Sequence, residues 1–171
     1  MTYEEGSVTT ATLDRDEIAT AGKPGTDDGP RETFESRFGP IPLNADRQIV
    51  VPGGLPGFPG HELFQLEQPP GVNTELLLLQ AVESPDVGFF VMSVSEPTSI
   101  LHLEDVAAAA QVLEIEADNL LVFLIVTFQR TPGGFRKYVN LRAPIFVDVD
   151  ARRAMQLVLP NPDYSLKFEL D

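Results

Sequence analysis

From residue 34 onward, the apolar residues of this chain fall into short runs separated by Gly and Pro. Two runs, 76–82 and 87–94, are almost continuously apolar, which predicts a hairpin buried on both faces. Residues 120–128 and 135–141 flank a Pro-Gly-Gly turn and predict a second hairpin. Further strands are predicted at 34–38, which ends in a turn at Gly39-Pro40, and at 47–51, 62–67, 145–149 and 154–159. About nine short strands predict an all-β fold, a small closed barrel or barrel-like sandwich.

One segment departs from the β pattern. Residues 104–113 contain four consecutive alanines and predict a single short α-helix of about ten residues. Asp105 is its expected N-cap, and Val106, Ala109, Ala110 and Leu113 share one face. We expect this helix to plug or cover an open end of the barrel.

Residues 1–33 are rich in Thr, Ala, Gly and acidic residues and contain few large apolar side chains. Such a composition predicts a disordered acidic N-terminal extension, followed by a barrel domain at 34–171. The extension lacks the basic start and apolar stretch of a secretory signal, and no apolar run approaches the roughly 20 residues that span a bilayer. We therefore expect a cytoplasmic protein that does not enter the membrane.

The chain has 171 residues, a net charge of −14 and no Cys. Without Cys, disulfides, thiolate metal sites and a Cys nucleophile are excluded. The acidic excess disfavours direct binding to nucleic acid, because that binding depends on Lys and Arg contacts to phosphates. We expect a monomer whose acidic surface serves solubility or a basic protein partner.

Residues suited to catalysis are sparse. His61 and His102 stand alone, without the spacing that places two imidazoles on one metal ion. No serine lies in a Gly-x-Ser-x-Gly elbow, and neither Gly-Gly pair has the frame of a phosphate-binding loop. We predict no catalytic residue, metal or cofactor, and hence no enzyme. A ligand-sensing β-barrel and a small barrel enzyme remain the alternatives.

Three segments occur in the order typical of one family. They read Val-Pro-Gly-Gly-Leu-Pro-Gly-Phe at 51–58, Leu-Gln-Ala-Val-Glu-Ser-Pro-Asp at 79–86 and Asn-Leu-Arg-Ala-Pro-Ile at 140–145. With the later segment 153–159 and Tyr164, this set resembles the flagellar assembly factor FliW family over roughly residues 34–170.

Most motif residues suit corners of a barrel. Gly53, Gly54 and Gly57 can adopt positive φ, and proline ends strands because it lacks an N–H. Phe58 is expected to anchor its loop, with partner contact as the alternative. Arg142 is a candidate buried ion-pair partner, and Asn140 is expected to form hydrogen bonds with the local backbone. Structural roles are expected for all the other residues of the first and third motifs that we single out: Leu55, Pro56, Asn140, Arg142 and Pro144.

The resemblance implies a function that composition does not show. Proteins of the FliW family bind flagellin in the cytoplasm and also bind CsrA, a small RNA-binding translational regulator. Once flagellin is secreted, free FliW sequesters CsrA and relieves repression of flagellin mRNA. Direct protein–protein binding to flagellin and to a CsrA-type regulator is therefore the implied activity.

Acidic residues around the predicted helix form the candidate surface for a basic partner, since opposite charge steers association. The alternative is a solvated helix rim. An amphipathic flagellin terminus could dock on exposed apolar surface of the barrel. The candidate partner-binding residues are Glu104, Asp105, Glu114, Glu116, Asp118 and Phe58.

Overall fold

In the computed structural model, which describes residues 32–69, 75–94 and 100–170, the chain consists mainly of β-strands joined by short turns. The strands are β1 (Thr33–Ser36), β2 (Gly39–Pro42), β3 (Gln48–Val50), β4 (Gly54–Leu55), β5 (Phe58–Pro59), β6 (Leu63–Glu67), β7 (Leu76–Ala81), β8 (Gly88–Ser93), β9 (Leu120–Thr131), β10 (Gly134–Val139), β11 (Ile145–Asp148), β12 (Arg153–Gln156) and β13 (Phe168–Leu170). The described part also contains one α-helix, α1 (Leu103–Val112), and two 3-10 turns, Ala45–Arg47 and Ala117–Asn119. The predicted N-terminal extension, residues 1–33, lies outside the described residues apart from its last two positions.

Nine strands form one sheet in the order β11-β12-β3-β6-β7-β8-β9-β10-β13, and an additional pairing of β11 with β9 closes part of it into a ring. Closure is possible because β9 is twelve residues long and pairs with two strands along the same edge. Its first residues, Leu120 to Phe123, pair with β11, and Val126 to Thr131 pair with β10. The predicted all-β barrel of about nine strands with one helix is therefore confirmed.

Two apolar clusters lie on opposite faces of the barrel wall. The interior cluster draws on every strand of the ring and includes Phe64, Val91 and Ile145, each almost fully buried. Strand β9 contributes to both clusters, because Phe123 faces the interior while Val122 and Leu124 face the second cluster. Burial on both faces explains why its sequence is almost continuously apolar.

Helix α1 packs against the outer face of the wall. Its buried residues Val106 and Ala109 join the second cluster with outward-facing side chains of β9 and β11. The expected position at an open end is therefore wrong, because β9 and β11 offer an apolar outer face that the helix covers. The N-cap is His102, three residues before Asp105, which lies in the first turn of the helix.

The turn of the β1–β2 hairpin does not lie at the predicted position, Gly39-Pro40. The turn lies two residues earlier, at Arg37-Phe38, and Gly39 begins β2 with a φ of 100°. Pro40 and Pro42 are tolerated in β2 because that strand has a partner on one side only. The buried amide of Gln65 secures this region by donating to Pro42 O at 2.8 Å and accepting from Asn44 N–H at 2.9 Å.

Candidate functional site

The Gly-Leu-Pro-Gly-Phe motif forms a tight loop closed by the two-residue strands β4 and β5. Gly53 N–H donates to the Glu62 carboxylate at 2.7 Å, and Gly54 N–H donates to Val51 O at 2.9 Å. Gly54 has a φ of 82°, and a Cβ there would collide with the carbonyl oxygen of Phe58. The glycine at 54 is thus required by both its dihedral angle and the close backbone approach.

Leu55, and not Phe58, anchors this loop in the core. The Leu55 side chain is buried in the interior cluster, whereas Phe58 is 37% exposed. The Phe58 ring packs edge-on against Phe89, with centroids 5.0 Å apart. Leu55 is therefore the buried anchor, and Phe58 contacts the barrel through Phe89, which packs against the interior cluster, while part of the Phe58 ring stays exposed.

A shallow depression runs beside the same loop, with a volume of about 310 Å³. It is lined by residues 51–57 together with Pro59, Met155 and Gln156, a set without any acidic, basic or histidine side chain. A catalytic or sensing pocket needs convergent polar or titratable groups. This depression has no titratable side chain, and its single polar side chain, Gln156, donates to Ala143 O at 2.9 Å.

The second motif fixes the turn between β7 and β8 through Gln80. Its buried Nε2 donates to Ser84 O and to Val87 O, each at 2.9 Å. These bonds satisfy the carbonyls of a turn that lies next to the core. Gln80 is a structural residue that the sequence did not single out.

The third motif is the bend by which the chain passes from β10 to β11. Between the pairs Val139↔Val126 and Ile145↔Phe123, β9 advances three residues while the facing chain advances six, so three residues bulge outward. Asn140 Oδ1 stabilises the bulge by accepting from the backbone N–H groups of Arg142 and Ala143, at 3.0 and 3.1 Å. The expected backbone role of Asn140 fits this geometry.

Arg142 does not form the expected buried ion pair. Its side chain is half-buried, and none of the ion pairs among the described residues includes it. Its contribution is through the main chain, because Arg142 O accepts from Leu159 N–H at 2.8 Å. Pro144, which is buried, follows the bulge and begins the return to β9.

The predicted acidic surface separates into two groups at opposite ends of α1. Glu104 and Asp105 lie in the first turn and the remaining acids follow the last turn, so about 15 Å of helix separates the two groups. The N-terminal group lies where the helix dipole favours negative charge. Its position therefore has a structural explanation.

Asp105 is held within a hydrogen-bond network. Its Oδ2 accepts from Tyr164 O–H at 2.6 Å and from Asn161 Nδ2 at 2.9 Å, while the Tyr164 hydroxyl accepts from His102 N–H at 2.8 Å. The hydrogen bonds from Asn161 and Tyr164 lower the pKa of Asp105 below its usual value. This network ties the start of α1 to the C-terminal segment and leaves Asp105 little freedom to contact a partner.

Glu114 lies where α1 ends, in a left-handed conformation with φ of 56°. Glu114 N–H donates to Gln111 O at 3.2 Å, and Ile115 N–H donates to Ala110 O at 2.9 Å. These two bonds define a Schellman motif, whose left-handed position is usually Gly. A glutamate at this position is conformationally costly and directs its carboxylate to solvent.

We call the exposed acids near the end of α1 the acidic rim: Glu114, Glu116, Asp118 and Asp150. Asp150 joins the rim because Val149 N–H donates to Asn119 O at 2.9 Å, a proximity that the sequence did not indicate. No ion pair among the described residues involves any of the four. Glu114 and its neighbours lie at the negative end of the helix dipole, and the last turn of α1 has no basic residue to offset that partial charge.

The rim is suited to binding a cation-rich surface and not to holding a metal ion. No group of three or more His, Asp or Glu in the described residues has a metal-binding arrangement. Unpaired, solvent-exposed carboxylates attract Lys and Arg of a partner and repel phosphates. In the described residues, no helix has the length and apolar character needed to cross a bilayer.

Comparison with known proteins gives consistent matches. The family described as FliW protein matches residues 32–170. "Flagellar assembly factor FliW" of Shouchella clausii is 34% identical over 138 residues, which cover 77% of this chain and 89% of the relative. The protein of the same name from Natranaerobius thermophilus is 33% identical over 140 residues, covering 78% and 87%.

A solved structure shares the fold. The crystal structure of the flagellar assembly factor FliW superposes with a TM-score of 0.64 at 26% identity. The match covers 82% of this chain and 97% of that one. The relatives carry the name of an assembly factor, which is not the name of an enzyme.

Proposed function

The chain belongs to the FliW family, and we propose that it is a cytoplasmic flagellar assembly factor with two protein partners, flagellin and a CsrA-type translational regulator. Bound to flagellin, it acts as a chaperone before export. Released from flagellin, it binds the regulator and relieves repression of flagellin mRNA. The family match over residues 32–170 carries this proposal.

The acidic rim supports the regulator as a direct partner. An RNA-binding regulator presents Lys and Arg to phosphates, so a surface of four unpaired carboxylates complements it. The same carboxylates repel the RNA that the regulator carries. Glu114 and Glu116 are the central residues of this interface in our proposal, and Glu104 and Asp105 lie outside it.

A titration with purified partners tests the proposal. The full chain is mixed with flagellin and, separately, with the CsrA-type regulator of the same organism, and affinities are measured at two salt concentrations. We expect both to bind, with regulator affinity falling as salt increases. If neither protein bound while a small molecule copurified, the ligand-sensing alternative would replace the proposal.

A charge-matched pair of variants tests the location of the interface. Glu114→Lys/Glu116→Lys and Glu35→Lys/Glu83→Lys change the net charge equally, and all four residues are exposed. We expect the rim variant to weaken regulator binding at least about tenfold and the control about twofold or less. Equal losses would mean that overall charge, and not the rim, drives association.

A further inference from the structure

Strands β9 and β10 continue beyond the closed ring as a two-stranded ribbon, paired from Thr127↔Tyr138 to Thr131↔Gly134. Strand β13 adds three residues to its edge, with Phe168 opposite Val139. Because side chains alternate along a strand, one face of this ribbon continues the outer face of β9 whose residues Val122, Leu124 and Val126 form a cluster with α1. We call its residues the aromatic face: Phe128, Arg130, Phe135, Lys137 and Phe168.

The aromatic face is exposed to an unusual degree for large apolar side chains. Phe135 is 71% exposed and Phe128 is 43% exposed. Phe128 packs edge-on against Phe90, with ring centroids 5.6 Å apart, and Phe90 packs against Phe38, with ring centroids 5.7 Å apart. The rings therefore form a continuous row across β9, β8 and the β1–β2 turn, and such patches mark interaction sites.

The opposite face of the ribbon is polar, and its charges have partners. Arg136 pairs with Glu169 at 2.9 Å. Lys167 Nζ lies 4.3 Å from the centroid of the Tyr138 ring and donates to Gln129 Oε1 at 2.6 Å. This face is complete without a partner.

The cations of the aromatic face differ, because no described carboxylate pairs with Arg130 or Lys137. Both are strand neighbours of the exposed rings, with Arg130 opposite Phe135 and Lys137 opposite Phe128. In a chain with net charge −14, two cations without ion-pair partners among exposed rings make this face locally positive. Charge complementarity therefore selects an acidic, apolar occupant.

We propose that the aromatic face binds an amphipathic helix of a partner protein whose apolar stripe is flanked by Asp or Glu. The ring spacings of 5.6 and 5.7 Å are close to the advance of about 5.4 Å per helical turn, so each turn can place one apolar side chain along the row. The flanking carboxylates pair with Arg130 and Lys137. This inference rests on the proposed function, because an amphipathic terminus of flagellin is one helix of this kind, and it adds the surface that receives such a helix, apart from the acidic rim. If flagellin bound the full chain while neither of the helical peptides described below did, the proposed function would stand and this surface would be rejected.

The absence of Trp from the chain provides a clean reporter. In Phe135→Trp, the single indole reports burial of the aromatic face by a shift of its emission to the blue. The probes are two synthetic helical peptides of about 18 residues with the same leucine stripe, one flanked by Glu and the other by Lys. We expect saturable binding of the Glu peptide, weakened by salt, and binding of the Lys peptide at least about tenfold weaker.

Matched variants locate the site. In the reporter background, Phe128→Ser should reduce affinity for the Glu peptide at least about tenfold. Val112→Ser, on α1, removes a side chain that is also 71% exposed and should change affinity about twofold or less. Arg130→Glu/Lys137→Glu should reverse the preference between the two peptides, and circular dichroism verifies the fold of each variant.

Four results would overturn the proposal. Equal affinity for both peptides, or no binding of either, removes the charge selection on which it rests. An indole already buried in the chain alone, and exposed once residues 1–31 are removed, would assign the face to the chain's own N-terminal segment. Burial that increases with protein concentration would assign it to a second copy.

Discussion

Glu114 combines two opposing requirements in one residue. Its left-handed backbone costs stability that Gly would not cost, whereas its carboxylate contributes to the acidic rim. We expect Glu114→Gly to raise the free energy of unfolding by about 0.5–1 kcal/mol and to weaken regulator binding. Glu114→Gln is the control, because it removes the charge but keeps the left-handed backbone, and it should weaken binding without raising stability.

Urea unfolding and regulator titration on the same samples measure both effects. If Glu114→Gly unfolded at lower urea concentration than the original chain, the Schellman assignment would be wrong. If its affinity were unchanged, Glu114 would not belong to the interface.

Tyr164 and Asp105 give the fold a predictable pH dependence. Because the folded-state pKa of Asp105 is lowered, its network stabilises the fold above the unfolded pKa of about 4, and this stabilisation is lost as pH falls through the folded-state pKa. Burial and the hydrogen bond to Asp105 raise the pKa of Tyr164, so stability also falls when pH rises above about 10.

Tyr164→Phe tests this network. The variant removes the hydroxyl that donates to Asp105 and accepts from His102, and should cost about 1–2 kcal/mol at pH 7. The difference in unfolding free energy between the variant and the original chain should narrow below pH 4, where Asp105 becomes protonated. Denaturation curves at several pH values measure it, and a constant difference across pH would contradict the assignment.

At the scale of elements, the position of α1 depends on small side chains. Ala109 is buried against the outer face of the barrel wall, whereas Ala108 on the same helix is exposed. We expect Ala109→Leu to overpack this contact and cost about 1–3 kcal/mol, while Ala108→Leu changes stability by about 0.5 kcal/mol or less. Equal effects in urea unfolding would mean that α1 is not packed as described.

The hairpins and the extent of α1 were predictable because their signals are local. Turn residues and apolar periodicity mark β7–β8, β9–β10 and the helix without knowledge of distant contacts. The placement of α1 was not predictable, since it depends on which face of β9 remains uncovered after the barrel closes. Strand β13 has only three residues, too few for a periodic signal, and it pairs with the edge of β10.

The candidate site shows the same division between local and distant information. Glu114, Glu116 and Asp118 lie close together because they are close in sequence, whereas Asp150 joins them through a contact across the fold. Of the five acids predicted to form one surface, Glu104 and Asp105 lie at the start of α1 and the other three follow its end. The aromatic face had a usable signal, namely the alternation of Phe128 and Arg130 beyond the apolar run, but the closed ring was needed to show that this part of β9 extends past it.

At the scale of the whole molecule, β9 connects the two proposed binding surfaces. The acidic rim lies at its beginning and the aromatic face lies near its end, and the strand from Leu120 to Phe128 and Arg130 separates them by roughly 30 Å. The Debye length at physiological salt is about 8 Å, so the charges of one surface are screened from the other. The molecule thus has two surfaces of opposite sign that can act separately.

This separation predicts independent energetics. Glu114→Lys/Glu116→Lys should change affinity for the Glu peptide about twofold or less, and Phe128→Ser should change affinity for the regulator equally little, because mutations more than about 10 Å apart are usually additive. Titrating the regulator in the presence of saturating Glu peptide, and the Glu peptide in the presence of saturating regulator, measures the coupling between the two surfaces directly. Mutual exclusion across this distance would not follow from charge or steric contact between small ligands. It would require two conformations of the barrel, and β9, which pairs with both ends, is the element through which they would be coupled.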